Sequence, residues 1–386
     1  MKKVIFGTAL ASMALLSACS SDNELANVGT TANNAIGFHV VGNKAETRAN
    51  IIDNNNITDT DFRVFAFTRN TEDGSDVNAF MGEKTDDKGQ TGVKIDYINN
   101  DWNYVNASDL HYWPTSTALN FYAVSPASVS DDMFANFHWS IGKDSKTIYY
   151  SGIDEYNNKT NEVNYDVMYA VAENQTQSTN EGKVKFNFKH IMSQVVFQAK
   201  TQYEDMQVDI KDIKIHNYKF SGTFTFPTNG NDPEQSNWVP QTLSNKPEAT
   251  VGKAQSTISV TSNSTTTDIS LNKPMLFIPQ KLEAWDTRNS IDQANTDKKS
   301  FLEIECKIQQ NGEYLHGTAT SFAKLYVPFG TSWDPGKRYI YTLIFGGGYD
   351  AQGQAILKPI NFEAETTKWV DDINNKNNNN DINIDK

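Results

Sequence analysis

The residues best able to bind metal or act as nucleophiles are few, and their spacing supports neither role. No two histidines stand at the spacing of a metal-binding pair, and no His-Glu-x-x-His or Gly-x-Ser-x-Gly motif occurs. We therefore interpret each histidine as a strand or turn residue and expect no enzymatic activity, metal or cofactor. The histidines are His39, His111, His138, His190, His216 and His316.

Acidic loops and tryptophans are weaker candidates for ligand binding. The stretches 53–61 and 73–76 contain aspartates whose oxygens could bind Ca²⁺, but neither fits the twelve-residue loop that ends in glutamate. Trp102, Trp113 and Trp238 could stack on sugars if they were exposed, although packing in a core is the commoner role. We expect solvated loops and core side chains, with the two ligand hypotheses as alternatives.

The N-terminus predicts export and lipid attachment. Two lysines at 2–3 precede an apolar run at 4–16, which is a signal peptide too short to remain as a membrane-spanning helix. The run ends in Leu-Ser-Ala before Cys19, as in a bacterial lipoprotein cleavage box. We expect residues 1–18 to be removed, Cys19 to be acylated, and residues 19–35 to be a polar tether. The alternative is a plain secretory signal followed by an unrelated cysteine.

The second cysteine and the overall charge narrow the class of protein further. Cys306 has no partner once Cys19 carries lipid, so a disulfide framework is excluded. It lies on the apolar face of a predicted strand and is interpreted as a core residue. The net charge of −13 disfavours nucleic acid as a partner, because nucleic-acid binding relies on basic surfaces.

The stretch at 35–48 predicts a strand with one apolar face, followed by a polar run that ends in a basic residue. Ile36, Phe38 and Val40 alternate with other residues, which indicates a strand with one apolar face. The bond between Arg48 and Ala49 could be cut by a trypsin-like protease, which would release this strand. The alternative is an ordinary first strand with Arg48 in a solvated loop.

The rest of the chain predicts an all-β fold. Short alternating runs recur between clusters of Asn, Asp, Gly, Ser and Thr, and helical periodicity is nearly absent. The run 61–68 is apolar on both faces, which predicts a central strand. The wholly polar run 173–183 predicts a boundary between a first domain at 36–178 and a second at 179–386.

Several segments together resemble the fimbrillin-type subunits of Bacteroidetes type V pili. Their order along most of the chain carries the resemblance more than any single motif. They are the lipobox before Cys19, the strand from Ile36 with Arg48 after it, Tyr112-Trp113-Pro114 with 119–123, the segment 189–195, and 326–329 with Trp333, 335–341 and 345–350.

The resemblance implies two tandem transthyretin-like β-sandwich domains and assembly by strand exchange. The lipidated precursor would reach the outer membrane, and an Arg-specific protease would cut after Arg48 and remove the first strand, 36–48. A donor strand from the next subunit would then fill the groove. The donor region would be 359–386, with Ile360, Phe362 and Ala364 as candidate side chains, because the tail beyond 370 is mostly asparagine.

The expected partners follow from the same resemblance. They are other fimbrial subunits, identical or paralogous, a lipid anchor in the precursor, and a host or bacterial surface receptor. The expected locations are the outer membrane for the precursor and the fimbria for the mature chain. The alternatives are an anchored surface lipoprotein that binds glycan or host protein, and the anchor subunit of the fimbria; in both, Arg48 stays uncut.

Overall fold

The structure is a computed structural model, and it describes ten ranges of the chain. These are residues 34–41, 57–84, 89–127, 137–151, 166–241, 248–250, 257–270, 275–357, 361–368 and 380–381.

Strands dominate the described chain, which confirms the all-β expectation. The strands of the first half are β1 (Gly37–Val41), β2 (Phe62–Arg69), β3 (Asp76–Met81), β4 (Val93–Ile98), β5 (Asp101–Tyr104), β6 (Leu119–Ser125), β7 (Phe137–Ile141), β8 (Lys146–Ser151), β9 (Met168–Gln175), β10 (Lys183–Asn187) and β11 (Lys189–His190). The strands of the second half are β12 (Ser193–Thr201), β13 (Met206–His216), β14 (Ser221–Thr225), β15 (Trp238–Gln241), β16 (Glu248–Thr250), β17 (Ile258–Val260), β18 (Thr267–Asp268), β19 (Met275–Phe277), β20 (Lys281–Leu282), β21 (Phe301–Gln310), β22 (Glu313–His316), β23 (Ala323–Pro328), β24 (Thr331–Ser332), β25 (Lys337–Phe345), β26 (Gly347–Tyr349), β27 (Ala355–Leu357), β28 (Asn361–Lys368) and β29 (Asn380–Asp381).

Helices in the described residues are short. They are α1 (Ile291–Thr296) and 3₁₀ turns at Ile57–Asp59, Ala107–Asp109, Thr179–Gly182, Thr228–Gly230 and Gln235–Asn237. None of the helices in the described ranges has the length and apolar character needed to cross a membrane.

The described strands form four larger sheets and a two-stranded ladder of β20 and β24. Sheet A has nine strands in the order β10-β1-β5-β4-β2-β6-β9-β11, with β3 beside β2. Sheet B has four, in the order β15-β14-β8-β7. Sheet C has six, in the order β18-β12-β25-β28-β29, with β19 beside β12. Sheet D has eight, in the order β16-β13-β21-β23-β26-β27, with β17 beside β13 and β22 beside β21.

Sheet A curls around an apolar core. Strands β10 and β11 lie at opposite ends of its strand order, yet Phe188 alone separates them in the chain. The two ends of the sheet must therefore lie side by side, and β1 is an interior strand in the wall that they close. The side chains enclosed, called core 1 below, include Ile36, Phe38, Phe62, Phe121, Val184 and Phe186.

Sheet B covers the outer face of sheet A and encloses a second core. On β2, Val64 points into core 1, whereas Phe65 packs with Ile148 of β8 and Phe224 of β14. Strand β2 is therefore buried on both faces, as its continuous apolar sequence predicts. A charged contact also joins the sheets, because Lys146 of β8 pairs with Asp76 of β3.

Sheets C and D enclose the third core, called core 3 below. Strand β12 runs parallel to β25 across eight paired positions, and β28 pairs antiparallel with the other edge of β25. In core 3 the Trp333 indole donates a hydrogen bond to the Tyr341 hydroxyl at 2.9 Å. Burial raises the pKa of Tyr341 to about 12, so this hydroxyl stays protonated at neutral pH.

The expected domain boundary at 178/179 does not coincide with a division between sheets. Strand β10 follows that position but lies in sheet A beside β1, and β14 and β15 lie in sheet B with β7 and β8. The polar run at 173–183 instead contains the end of β9 and the turn Thr179–Gly182 between two strands of one sheet. A polar composition indicates a segment that is exposed to water, and surface turns are exposed just as linkers between domains are.

Candidate strand-exchange groove

The apolar face of β1 is buried in core 1. Ile36 and Phe38 are each 1% exposed, and Val40 is half-buried against the same core. The Phe38 ring stacks on Phe186 with a centroid distance of 6.1 Å and meets the edge of Tyr104 at 5.5 Å. Burying a phenylalanine side chain contributes about 1.5–3 kcal/mol, so β1 is held largely by this residue and Ile36.

The backbone of β1 is paired on both sides. It runs parallel to β10, from Gly37 opposite Lys183 to Val41 opposite Asn187, and Phe38 lies opposite Trp102 of the antiparallel strand β5. Just before the strand, the amide of Ile36 donates to the carbonyl of His111 at 3.0 Å. Removing β1 would therefore leave two strand edges without partners.

A buried tyrosine hydroxyl also binds the β1 backbone. Tyr104 donates a hydrogen bond to the Ile36 carbonyl at 3.1 Å. Burial raises the pKa of Tyr104 well above its ordinary value, so the hydroxyl remains a donor. The buried Tyr104 hydroxyl thus has a hydrogen-bond partner in the β1 backbone.

An ion pair crosses the outer face of β1 at Gly37. Lys183 of β10 binds Asp101 of β5 at 2.9 Å, and β1 lies between these two strands. A Cβ atom added at Gly37 would lie 3.1 Å from the Lys183 Cγ. Glycine therefore leaves room for the lysine to reach across the strand.

The site that β1 occupies is called the β1 groove below. Its walls are β10 and β5, and its floor is formed by Phe62, Trp102, Tyr104, Val184 and Phe186. The sequence predicted the alternating strand that contains Val184 and Phe186 but assigned it to the second domain. The pairing of β10 with β1 was not predicted, because period-two alternation indicates a strand but not the strand with which it pairs.

Several predicted site residues lie outside the described residues. They are Cys19, Arg48, Ala49 and Ile360. Arg48 and Ala49 belong to the connection 42–56, which follows β1 and precedes the turn at Ile57–Asp59. A cut there would separate β1 from β2 without breaking any described strand.

The candidate donor strand lies in sheet C rather than beside β1. Strand β28 pairs with β25 from Ile344 opposite Asn361 to Lys337 opposite Lys368, so Phe362 and Ala364 belong to it. Ala364 is half-buried against core 3, and Glu363 on the opposite face binds Lys200 at 3.1 Å. The structure thus unites Ile36, Phe38 and Val40 in core 1 and places Ala364 against core 3.

The tryptophans proposed as a sugar-binding platform are core residues. Trp102, Trp113 and Trp238 are 7%, 3% and 4% exposed. The indole of Trp113 donates to the Gly182 carbonyl, and that of Trp238 donates to the Ile191 carbonyl. A sugar could not stack on any of these three indole rings, because all three are buried. The platform hypothesis is therefore wrong for these residues.

The aspartates proposed as Ca²⁺ ligands have other partners where they are described. Asp73 accepts hydrogen bonds from the amide and hydroxyl of Ser75, and Asp76 pairs with Lys146 and Asn120. Within the described ranges no three acidic, histidine or cysteine side chains are grouped to hold a metal. Cys306 is fully buried on β21, and burial raises the pKa of its thiol far above the ordinary value, which keeps it protonated.

Comparison with known proteins assigns the family. A fimbrial protein from Bacteroides vulgatus ATCC 8482 is 18% identical, with a TM-score of 0.54 over 87% of this chain and 99% of its own. A fimbrial assembly protein from Parabacteroides distasonis ATCC 8503 is 11% identical, with a TM-score of 0.36 over 86% of this chain and 95% of its own. No curated protein matches the sequence significantly. The family model described as Fimbrillin-like matches residues 47–369, and the chain belongs to the fimbrillin-like family.

Proposed function

We propose that the chain is a structural subunit of a cell-surface fimbria, a type V pilus, that assembles by strand exchange and supports adhesion. It is exported as a lipoprotein acylated at Cys19 and is then cut between Arg48 and Ala49. The fragment that contains β1 leaves, and a strand of another subunit takes its place. The burial of Phe38, in a strand whose sheet neighbours are remote in sequence, is the observation that carries this proposal.

The physical chemistry of the β1 groove favours replacement of the strand over an empty site. Without β1, the facing edges of β10 and β5 lose backbone partners, and Phe186 and Tyr104 lose the ring that covers them. Unpaired strand edges bind added strands through main-chain hydrogen bonds, and apolar pockets select the alternate side chains. An emptied groove is therefore a binding site for an extended apolar segment.

The order of processing steps prevents early assembly. While β1 is present, the β1 groove is filled and no foreign strand can enter. Acylation at Cys19 holds the uncut precursor at the outer membrane. The cut after Arg48 then frees the groove and separates the subunit from its lipid in a single step.

The C-terminal region supplies a strand that is accessible for exchange. Strand β28 is paired along its length with β25, whereas on its other side the described residues show pairing with β29 at Glu365 and Thr366 alone. Its release would expose one edge of β25 and leave the central β12–β25 ladder intact. We therefore place the donor within 359–386, with β28 as its centre.

The test is the substitution Arg48→Ala, with Lys44→Ala as the matched control in the same connection. We expect the Arg48→Ala protein to stay monomeric and to begin at the acylated Cys19. The Lys44→Ala protein should begin at Ala49 and form ladders that resist mild denaturation. Normal polymers from Arg48→Ala would contradict the proposal, and an uncut, acylated wild-type surface protein would favour an anchored lipoprotein or anchor subunit.

A further inference from the structure

The outer face of sheet B, turned away from the core that it shares with sheet A, presents one row of side chains across its four strands. His138 of β7 lies opposite Tyr149 of β8. Thr223 of β14 lies opposite Tyr149 on one side and opposite Val239 of β15 on the other. Paired residues of a sheet share a face, and Phe224, the next residue of β14, points into the core. The row therefore lies on the outer side of the sheet.

The two rings of this row stand upright on the sheet. The His138 and Tyr149 rings stack with a centroid distance of 4.8 Å and an angle of 30° between their planes. This distance is about the spacing of neighbouring strands, so the rings stack in the direction that crosses the strands. His138 thus covers one face of the Tyr149 ring. The opposite face is turned toward β14, where the Thr223 side chain is too small to cover it.

A slot therefore lies on this face between Tyr149 and Val239, and it is called the sheet B slot below. The half-buried Tyr149 ring forms one wall, Val239, which is 60% exposed, forms the other, and Thr223 forms the floor. The strands that carry the walls are two strand spacings apart, roughly 9.5 Å. A flat ring that contacts both walls needs two carbon contacts of about 3.5–4.0 Å each. The slot accordingly has the width for one ring.

Hydroxyl groups without a protein partner lie in and beside the sheet B slot. In the part of the chain that the structure describes, they make no hydrogen bond to another residue, and they belong to Tyr149, Thr223, Thr225, Thr147 and Ser140. By contrast, the buried hydroxyl of Ser221 on the same strand donates to the Gln241 carbonyl. The slot thus offers donors and acceptors to a ligand that carries hydroxyl groups of its own.

The same face carries no formal charge, although 21% of the chain is Asp, Glu, Lys or Arg. None of the residues named on the outer side of the four strands belongs to these types, with histidine counted as neutral. A charged ligand would find no opposite charge among them, so the face disfavours phosphorylated, sulfated or carboxylated partners. A ligand that matches the slot is neutral, with an apolar ring face and a hydroxylated edge.

We propose that the sheet B slot binds a neutral sugar ring of a surface glycan, a pyranose that carries neither carboxylate nor sulfate. The C–H face of the sugar stacks on the free face of the Tyr149 ring, and its other face contacts Val239. Its hydroxyls exchange hydrogen bonds with those of Thr223 and Thr225. The site gives the adhesive role proposed above a ligand of defined class. It lies outside the β1 groove and does not require the cut after Arg48.

The composition of the face favours a sugar over a protein partner. A stable protein interface buries about 800 Å² on each partner around a largely apolar, aromatic centre. On the outer side of sheet B, Tyr149 and Val239 are separated by a threonine, and the hydroxyl-bearing residues lie beside them. Two apolar walls with a polar floor can hold one ring, but they do not form such a centre.

Binding to defined oligosaccharides tests the class of ligand. The wild-type chain, before and after the cut, is applied to immobilised oligosaccharides of glucose, galactose, mannose and N-acetylhexosamines, and to sialylated and sulfated derivatives of the same sugars. We expect binding to neutral members, equally by the uncut and the cut chain. Titration calorimetry with the best free oligosaccharide then gives the affinity of each variant below.

Substitutions in the slot test its position. Tyr149→Ala should weaken binding about tenfold or more, because the stacking ring is lost, whereas Tyr149→Phe should weaken it only a few-fold. The matched control is Tyr314→Ala, which removes an exposed tyrosine from β22 of sheet D and should leave the affinity unchanged. Circular dichroism and thermal unfolding show whether each variant is folded.

A second variant tests the slot without removing a half-buried ring. Val239→Glu changes a largely exposed side chain, so the fold should tolerate it, and it places bulk and charge in the wall opposite Tyr149. We expect at least a tenfold loss of affinity for the same oligosaccharide. Thr225→Val, which keeps the shape of the side chain and removes its hydroxyl, should cost a few-fold.

Other outcomes contradict the site or the proposed function separately. Binding to none of the neutral oligosaccharides, or to charged ones alone, contradicts the sugar site, as does binding that survives both Tyr149→Ala and Val239→Glu. If no sugar binds and Val239→Glu blocks polymerisation of the cut chain, the face is an interface between copies instead. A chain that binds sugar through the slot but never polymerises retains the site and contradicts the fimbrial role.

Discussion

At the scale of single residues, Phe38 is the side chain on which the account depends most. It is buried among Phe186, Tyr104 and Phe62, whose rings lie 5.5–6.2 Å from its own. Its neighbour His39 is exposed on the same strand. Substituting Phe38 therefore tests how much core packing stabilises β1, and substituting His39 serves as a control on the exposed face of the same strand.

We expect Phe38→Ala to lower the free energy of unfolding of the uncut chain by about 3–5 kcal/mol, because it leaves a cavity in core 1. His39→Ala, the matched control, should change it by less than about 0.5 kcal/mol. Urea denaturation of both proteins measures the difference. Equal effects of the two substitutions would mean that β1 is not held by its apolar face.

A buried ion pair is a second residue-scale determinant of stability. Lys146 pairs with Asp76, whose side chain is 2% exposed, and its ammonium group lies 4.6 Å from the centre of the Tyr122 ring. Asn120 donates a further hydrogen bond to Asp76 at 2.8 Å. The pair links sheet B to sheet A, so removing one partner leaves a buried charge between the sheets.

We expect Asp76→Ala to cost about 1.5–3 kcal/mol of stability, because Lys146 and Asn120 both lose a hydrogen bond to a buried carboxylate. The control is Lys211→Ala, which removes the more exposed pair with Glu305 and should cost less than about 1 kcal/mol. Thermal or urea unfolding measures both. A small effect at Asp76 would contradict the prediction, because it would mean that the Lys143 carbonyl and water satisfy Lys146 without the carboxylate.

At the scale of elements, β1 shows what the sequence can predict and what it cannot. The alternation of Ile36, Phe38 and Val40 predicts the strand and its buried face, because alternate side chains of a strand point to opposite sides. The unbroken apolar run of β2 likewise predicts burial on both faces. These are local patterns, and they were sufficient for the all-β fold.

Pairing between remote strands could not be predicted in the same way. Nothing in the sequence of β10 distinguishes β1 from other possible neighbours, and the polar run at 173–183 suggested that β10 belongs to another domain. The partners of β1 are set by the closure of sheet A, which depends on many strands at once. The floor of the β1 groove, including Tyr104 and Phe62, was therefore unpredictable from any one segment.

The ion pair across β1 gives a prediction for the release of this element. Lys183→Ala removes the contact with Asp101 that crosses Gly37. A half-exposed pair contributes up to about 1 kcal/mol, so we expect the cut fragment to leave roughly two- to five-fold faster. Release is measured by separating the fragment that ends at Arg48 over time.

The control is Lys185→Ala, whose side chain lies on the same strand beside His39. It should leave the release rate unchanged in the absence of donor strand. A Lys183→Ala rate equal to that of the wild type would mean that the ion pair does not hold β1.

At the scale of the whole molecule, net charge opposes assembly. Each copy carries a formal charge of −13 before processing, so two copies repel one another at long range. The apolar contacts and main-chain hydrogen bonds of strand exchange act only after the copies meet. The rate of assembly should therefore increase with salt concentration, because salt screens this repulsion.

We expect the cut chain to polymerise roughly tenfold faster at ~0.15 M than at ~0.01 M salt, because the screening length falls from ~30 to ~8 Å. Light scattering at constant pH measures the rate. The matched control is binding of a synthetic 358–370 peptide to the β1 groove of the cut chain. This binding should depend on salt much less. Faster polymerisation at low salt would point instead to local attraction between charged patches.

The most direct measurement of the central claim is N-terminal sequencing, with intact mass, of subunits taken from surface polymers. The account predicts chains that begin at Ala49 and lack both acylated Cys19 and β1. Polymer subunits that still contain residues 36–41 and carry lipid at Cys19 would contradict it.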